Sequence, residues 1–255
     1  MSMVVAALDT NPVARIVLET AVLFARLTGT GVEALHVRSS PSDDVRMLEI
    51  LAARCEVPLR VVQGPAESAL CQALGAPKVV AAVIGARATA TGRRPVGRTA
   101  LHVLEQIDKP VLVVPPDAVA PVAIRRLLVP LEGAEESSRS VLEQLGPLLA
   151  AEVEITVLHV FTEGTLPTML DRPVRDLDIW SKEFLTRHYP SAAHIELRLG
   201  AVAARVAEVS GEHGADLVVL GWSRNTSAGR AAVVREVLGA SALPVLLLPV
   251  KRLAT

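Results

Sequence analysis

Short apolar runs alternate with helix-patterned stretches along the whole chain. Residues 3–8, 33–37, 58–62, 79–84 and 111–114 are apolar runs of strand length. Between them, residues 13–27 place Ile16, Val17, Thr20, Leu23, Phe24 and Leu27 at helical spacing and stop at Gly29 and Gly31. Residues 42–54, 66–74 and 98–108 read as further helices. Asp43 and Asp44 fall in the first turn of the 42–54 helix, where a carboxylate meets the positive end of the helix dipole. Apolar strands separated by amphipathic helices specify βαβ units and a parallel sheet covered on both faces.

A proline-rich connector, Pro115 to Pro121, interrupts this plan, which then restarts. Strands are expected at 127–131, 153–160, 195–199, 217–221 and 245–249, with helices at 137–149, 202–212 and 235–243. Sequence details return with them. ALHV at 34–37 matches VLHV at 157–160, and Pro110-Val111-Leu112 matches Pro244-Val245-Leu246. Five matched strands in the same order mark a duplicated unit. We expect two domains, 1–116 and 124–255, joined by a linker at 117–123. The copies differ after the second strand, where the second copy adds residues 161–173 and a helix to about His188. Trp180, Phe184 and Tyr189 of that region either pack on their own sheet or form a lid or partner surface.

Composition sharpens the picture. The chain is 51% hydrophobic but only 2% aromatic, so the core must be built from Val, Leu, Ala and Ile. A net charge of −1 argues against a broad footprint for nucleic acid or an anionic membrane. Cys55 and Cys71 make no disulfide framework and suit a reducing cytosol. The start, MSMVVAALDT, has no basic segment ahead of its short apolar run, and no apolar stretch approaches a membrane span. The expectation is a soluble cytoplasmic protein.

Candidate chemistry concentrates after the fourth strand. A loop bearing Gly85, Arg87, Arg93, Arg94, Gly97 and Arg98 joins a strand's C-terminal end to a helix N-terminus. Open parallel sheets bind anions and nucleotides at such places, and arginine forks suit phosphates. A solvated basic loop accounts for the same residues. Elsewhere the chemistry is thin. No Gly-Lys-Ser/Thr phosphate loop and no Gly-x-Ser-x-Gly elbow occurs. His36 and His159 stand at equivalent positions, which suggests a role in the fold. His188 and His194 show no recognised metal-ligand spacing.

Taken jointly, several marks resemble the universal stress protein family in two fused copies. They are the acidic residue ending each first strand (Asp9, Glu132), the LHV endings, the glycine ending each fourth strand (Gly85, Gly221) and the helix leading to Pro-Val-Leu. The resemblance implies two tandem five-stranded parallel-sheet α/β sandwiches, Rossmann-like, related by a pseudo-twofold axis. It also implies that the last strands pair within the chain. Val111–Val114 and the equivalent C-terminal strand would otherwise be exposed apolar edges.

Nucleotide binders of this family carry Gly, two residues, Gly, nine residues, then Gly and Ser/Thr. The glycines let backbone amides approach phosphate oxygens. Here Gly85 is kept, Ala88 replaces the second glycine, Gly97 arrives one residue early, and Arg98 holds the hydroxyl position with Thr99 beside it. The resemblance therefore implies an ATP-like adenine nucleotide site in altered form, carried by Asp9, Val37, Gly85, Gly97, Arg98 and Thr99. Asp9 would meet the nucleoside and the main chain at Val37 the base. In the second copy Gly221 is followed by Trp222, Ser223 and Arg224, with no Gly-Ser/Thr in register, which reads as a structural loop. No catalytic residue and no metal ligand set is identified. Two functions stay open: a nucleotide-responsive regulator in stress adaptation, and a nucleotide-free interaction module with a regulatory protein partner, either of which could form a homodimer.

Overall fold

The computed structural model describes residues 2–40, 43–87, 96–131, 135–149, 152–161, 194–224 and 230–250. In the N-terminal half, β1 (Met3–Leu8), β2 (Gly31–Arg38), β3 (Leu59–Gln63), β4 (Val79–Gly85) and β5 (Val111–Val114) alternate with α1 (Val13–Thr28), α2 (Arg46–Arg54), α3 (Ala66–Gly75) and α4 (Arg98–Gln106). The C-terminal half holds β6 (Arg126–Pro130), α5 (Glu135–Leu145), a 3₁₀ turn at Gly146–Leu148, β7 (Glu154–Phe161), β8 (His194–Leu199), α6 (Val202–Glu212), β9 (Leu217–Trp222), α7 (Arg230–Ala240) and β10 (Val245–Pro249).

All ten strands join one sheet, in the order β3-β2-β1-β4-β5-β10-β9-β6-β7-β8. Read outward from the centre, each half repeats the same order, so the halves are related by a pseudo-twofold axis. Neighbours within a half run parallel, and β5 meets β10 antiparallel, with Val113 opposite Val245, Leu112 opposite Leu246 and Val111 opposite Leu247. The two apolar edges thus close each other, as their exposure to water would otherwise demand. The expected α/β fold and the pairing of the last strands are both present.

Alternation along β5 and β10 divides the core into two layers. Leu112, Val114, Leu246 and Leu248 face the layer that holds α1 and α5. Val111, Val113, Val245 and Leu247 face the layer that holds α4, α6 and α7. Each layer runs through both halves without a break. The connector enters the first layer at Ala118 and Ile124 while Val119 and Val122 stay exposed. α1 stops where Gly29 takes the left-handed φ of 63° and its N–H returns to the helix carbonyls of Ala25 and Arg26.

Two expectations need correction. The second helix begins at Arg46, so Asp43 and Asp44 precede it. Asp43 Oδ2 accepts the N–H groups of Ser39 and Ser40 at 2.8 Å, and Asp44 Oδ1 accepts that of Arg46 at 3.0 Å. Short carboxylates that bond nearby backbone N–H groups build turns in preference to helix. The last helix occupies Arg230–Ala240, where 235–243 was expected, and Ser241 folds its hydroxyl onto the Leu243 N–H. The aromatic insertion with Trp180, Phe184 and Tyr189, the positions Glu132 and Gly133, and the loop residues Ala88, Arg93 and Arg94 lie outside the described residues.

Candidate functional site

β1 has β2 on one side and β4 on the other, so the connections leaving their C-terminal ends turn to opposite faces. A crevice at such a switch point is where open α/β sheets bind ligands. A cleft of about 390 Å³ lies there, and Asp9, Val37, Gly85, Gly97, Arg98 and Thr99 all line it. The structure therefore brings together the six residues that the resemblance assigned to a nucleotide site, from three strand ends and one helix start.

Each is positioned by its own element. Asp9 follows the last residue of β1, its carboxylate accepting the Thr10 N–H at 2.8 Å and the Asn11 side-chain amide at 3.1 Å. Asn11 Oδ1 in turn takes the Val13 N–H at the start of α1. β1 ends at Leu8 opposite His36, so Val37 lies one step beyond the last residue paired with β1. α4 begins at Arg98 with Gly97 as its N-cap, so among the described residues the N–H groups of its first turn have no capping side chain. Gly97 itself is tied to Ala86, donating its N–H to that carbonyl at 2.7 Å.

The glycines carry a further message. Gly85 and Gly97 both have ordinary φ values. A Cβ at Gly85 would stand 3.6 Å from the Val13 and Val17 methyls, and one at Gly97 would stand 3.5 Å from the Ala86 carbonyl oxygen. Neither contact is a clash, so the fold has room for a Cβ at both. A need for glycine here would come from something that occupies the cleft.

Of the loop arginines noted in the sequence, Arg87 also lines the cleft, and two residues not singled out there, Asn11 and Ser39, complete the polar wall. His36 also lines it: its Nδ1 donates to the Leu8 carbonyl at 2.9 Å, and its buried Nε2 has no hydrogen-bond partner among the described residues. Its place beside Val37 was the signal for it. Arg98 is half committed, its guanidinium pairing with Glu67 of α3 at 3.0 Å. The two thiols lie elsewhere. Burial, and then Glu19 and Glu67 respectively, push Cys55 and Cys71 above the ordinary thiol range, which disfavours thiolate chemistry.

The equivalent place in the C-terminal half is different in kind. It holds about 100 Å³, lined mainly by apolar side chains such as Leu131, Val141, Leu220, Trp222 and Val250. A Cβ on Gly221 would stand 2.9 Å from a Val141 methyl, so this glycine is required by packing. Trp222 ends β9 and donates its indole N–H to the Leu104 carbonyl of α4 at 2.9 Å, stitching one half to the other. Arg224 reaches Asp108 across the same seam at 3.6 Å.

Comparison with known proteins accords with this geometry. The family model of the Universal stress protein family matches residues 123–249. No curated protein matches the chain in sequence. Among solved structures, a functionally unknown protein from Pseudomonas aeruginosa PAO1 superposes with TM-score 0.71 at 14% identity, over 98% of this chain and 92% of that one. A universal stress protein from Archaeoglobus fulgidus DSM 4304 superposes with TM-score 0.61 at 16% identity, over 97% and 96%. At such identities the likeness is one of fold, over nearly the whole length of this chain.

Proposed function

Since the chain belongs to the universal stress protein family, in tandem form, we propose that it binds an adenine nucleotide in the N-terminal cleft. On this reading it serves stress adaptation as a ligand-responsive regulator and turns over no substrate. The observation that carries the proposal is the convergence of Asp9, Val37, Gly85, Gly97, Arg98 and Thr99 on one cleft at the sheet's switch point.

The roles follow from chemistry. Asp9, an acceptor held by two donors, orients ribose or base hydrogen-bond donors. The main chain at Val37 faces the base. The uncapped first turn of α4 offers N–H groups and the positive end of its dipole to phosphate oxygens. The Thr99 hydroxyl adds a donor. Arg98 supplies charge, with Glu67 as its resting partner. The volume of about 390 Å³ lies within the usual range of about 300–1,000 Å³ for small-molecule sites. In domain terms, residues 1–116 are the binding unit, 124–255 the companion and 117–123 the linker.

A second reading, a nucleotide-free module acting through a regulatory protein partner, draws support from the C-terminal half alone. Its apolar pocket of about 100 Å³ falls below that range.

Titration of the full chain with ATP and AMP by calorimetry tests the proposal. Saturable binding is expected, weakened at least 10-fold in Gly97→Val and in Asp9→Ala while both variants keep the wild-type circular dichroism. Absence of any heat of binding, or equal affinity in both folded variants, overturns it and leaves the partner-binding module.

A further inference from the structure

At the outer edge of the C-terminal half, two histidines and a glutamate converge far from the cleft. β8 is the last strand of the sheet. His194 and Glu196 are two residues apart on it, so their side chains share one face. His213 is the C-cap residue that follows α6. Its N–H stays bonded to the Val209 carbonyl at 3.0 Å, and Gly214 then turns the chain away with a φ of 55°. The imidazole is thereby delivered to the face that His194 and Glu196 occupy.

Both imidazoles point at the same oxygen. Nε2 of His194 lies 2.7 Å from Oε1 of Glu196, and Nε2 of His213 lies 3.2 Å from it. The ring centroids are 5.3 Å apart. One donor atom from each residue lies within 4.8 Å of the other two. The second carboxylate oxygen, Oε2, is engaged by Arg198, whose other terminal nitrogen binds Glu212 at 2.7 Å. Glu196 is thus oriented by an outer layer of hydrogen bonds, as carboxylates on metal ions characteristically are. The His194 side chain is 58% exposed, which leaves an entry path and room for water.

We propose that His194, Glu196 and His213 form a binding site for a late first-row divalent cation of the zinc type. Two neutral imidazoles and one carboxylate are a donor set that suits zinc, with water completing a tetrahedral shell. Metal–ligand distances of about 2.0–2.2 Å place tetrahedral donors about 3.3 Å apart, a small opening from the hydrogen-bonded arrangement. Any proton shared between an imidazole and the carboxylate leaves as the ion enters. The ion would then tie the edge strand β8 to the end of α6.

The test uses the full chain, freed of any affinity tag and treated with chelator, titrated with zinc chloride by calorimetry and, separately, with magnesium chloride. One equivalent of zinc should bind with a micromolar dissociation constant, and magnesium should not compete. Zinc should also raise the thermal midpoint, because it binds only the folded chain's site. His194→Ala and His213→Ala should each weaken zinc at least 10-fold and abolish the rise, while His102→Ala on α4 changes neither. Both sites of substitution are partly exposed, and the metal-free thermal midpoint of each variant checks folding. Two results would overturn the proposal: zinc binding no tighter than millimolar, or tight binding that survives the double variant H194A/H213A.

Discussion

Gly85 and Gly221 end equivalent strands, yet they are glycines for different reasons. A side chain at Gly85 meets methyls at an ordinary 3.6 Å, whereas one at Gly221 is driven to 2.9 Å from Val141 and 3.2 Å from Val250. Overpacking of that order costs about 1–3 kcal/mol. Gly221→Ala should therefore lower stability by about 1–3 kcal/mol in urea denaturation, and Gly85→Ala by less than about 0.5 kcal/mol. Equal effects would show that the two pockets pack alike. From the sequence both residues read as one motif position, because spacing along the chain does not record the distance to a neighbouring helix. Asp43 is a second case at this scale. Its acidic position before a helical pattern suggested a first turn, but its carboxylate closes the preceding turn on Ser39 and Ser40.

Elements place the paired histidines. His36 on β2 and His159 on β7 each bond a carbonyl at the end of their half's first strand, that of Leu8 in β1 and that of Leu131 just after β6, at 2.9 Å through Nδ1. The shared role in the fold expected from LHV is thus a strand-to-strand fastening. Burial holds His159 below the ordinary imidazole range, partly offset by the Leu131 bond, and the Phe161 ring packs edge-on at 4.6 Å. A group whose folded pKa is depressed adds stability that is complete above the unfolded value of about 6.5 and is lost as pH falls through the folded value. Stability should decline on acidification below about pH 6.5, and His159→Gln should flatten that limb. An unchanged pH profile of chemical denaturation in the variant would refute this assignment. Helix ends were less legible than strands. α7 begins earlier than its sequence counterpart suggested, since helix starts depend on caps and neighbours, whereas a buried strand shows itself as an unbroken apolar run.

At the scale of the molecule, the seam between β5 and β10 makes one sheet and one pair of core layers out of two copies. Leu246 is 1% exposed opposite Leu112. An unpaired carboxylate there is among the costliest of substitutions, so Leu246→Asp should destabilise by more than about 4 kcal/mol. Hydrogen exchange should report the loss of protection in β4 and β9 together. Loss confined to one half would mean that the halves unfold independently. The duplicated α/β plan and the apolar last strands were legible in the sequence alone, because burial on both faces of a parallel sheet demands continuous apolar segments and the duplication repeats them in order; the six cleft residues came from the family resemblance, which marks positions along the chain and not distances. Only the tertiary structure decided that one switch-point crevice holds about 390 Å³ and the other about 100 Å³ between mainly apolar walls, that Trp222 crosses to Leu104, and that His194, Glu196 and His213 meet. These are contacts between residues distant in the chain, set by how helices pack on strands, and the local pattern of a sequence carries no measure of that separation.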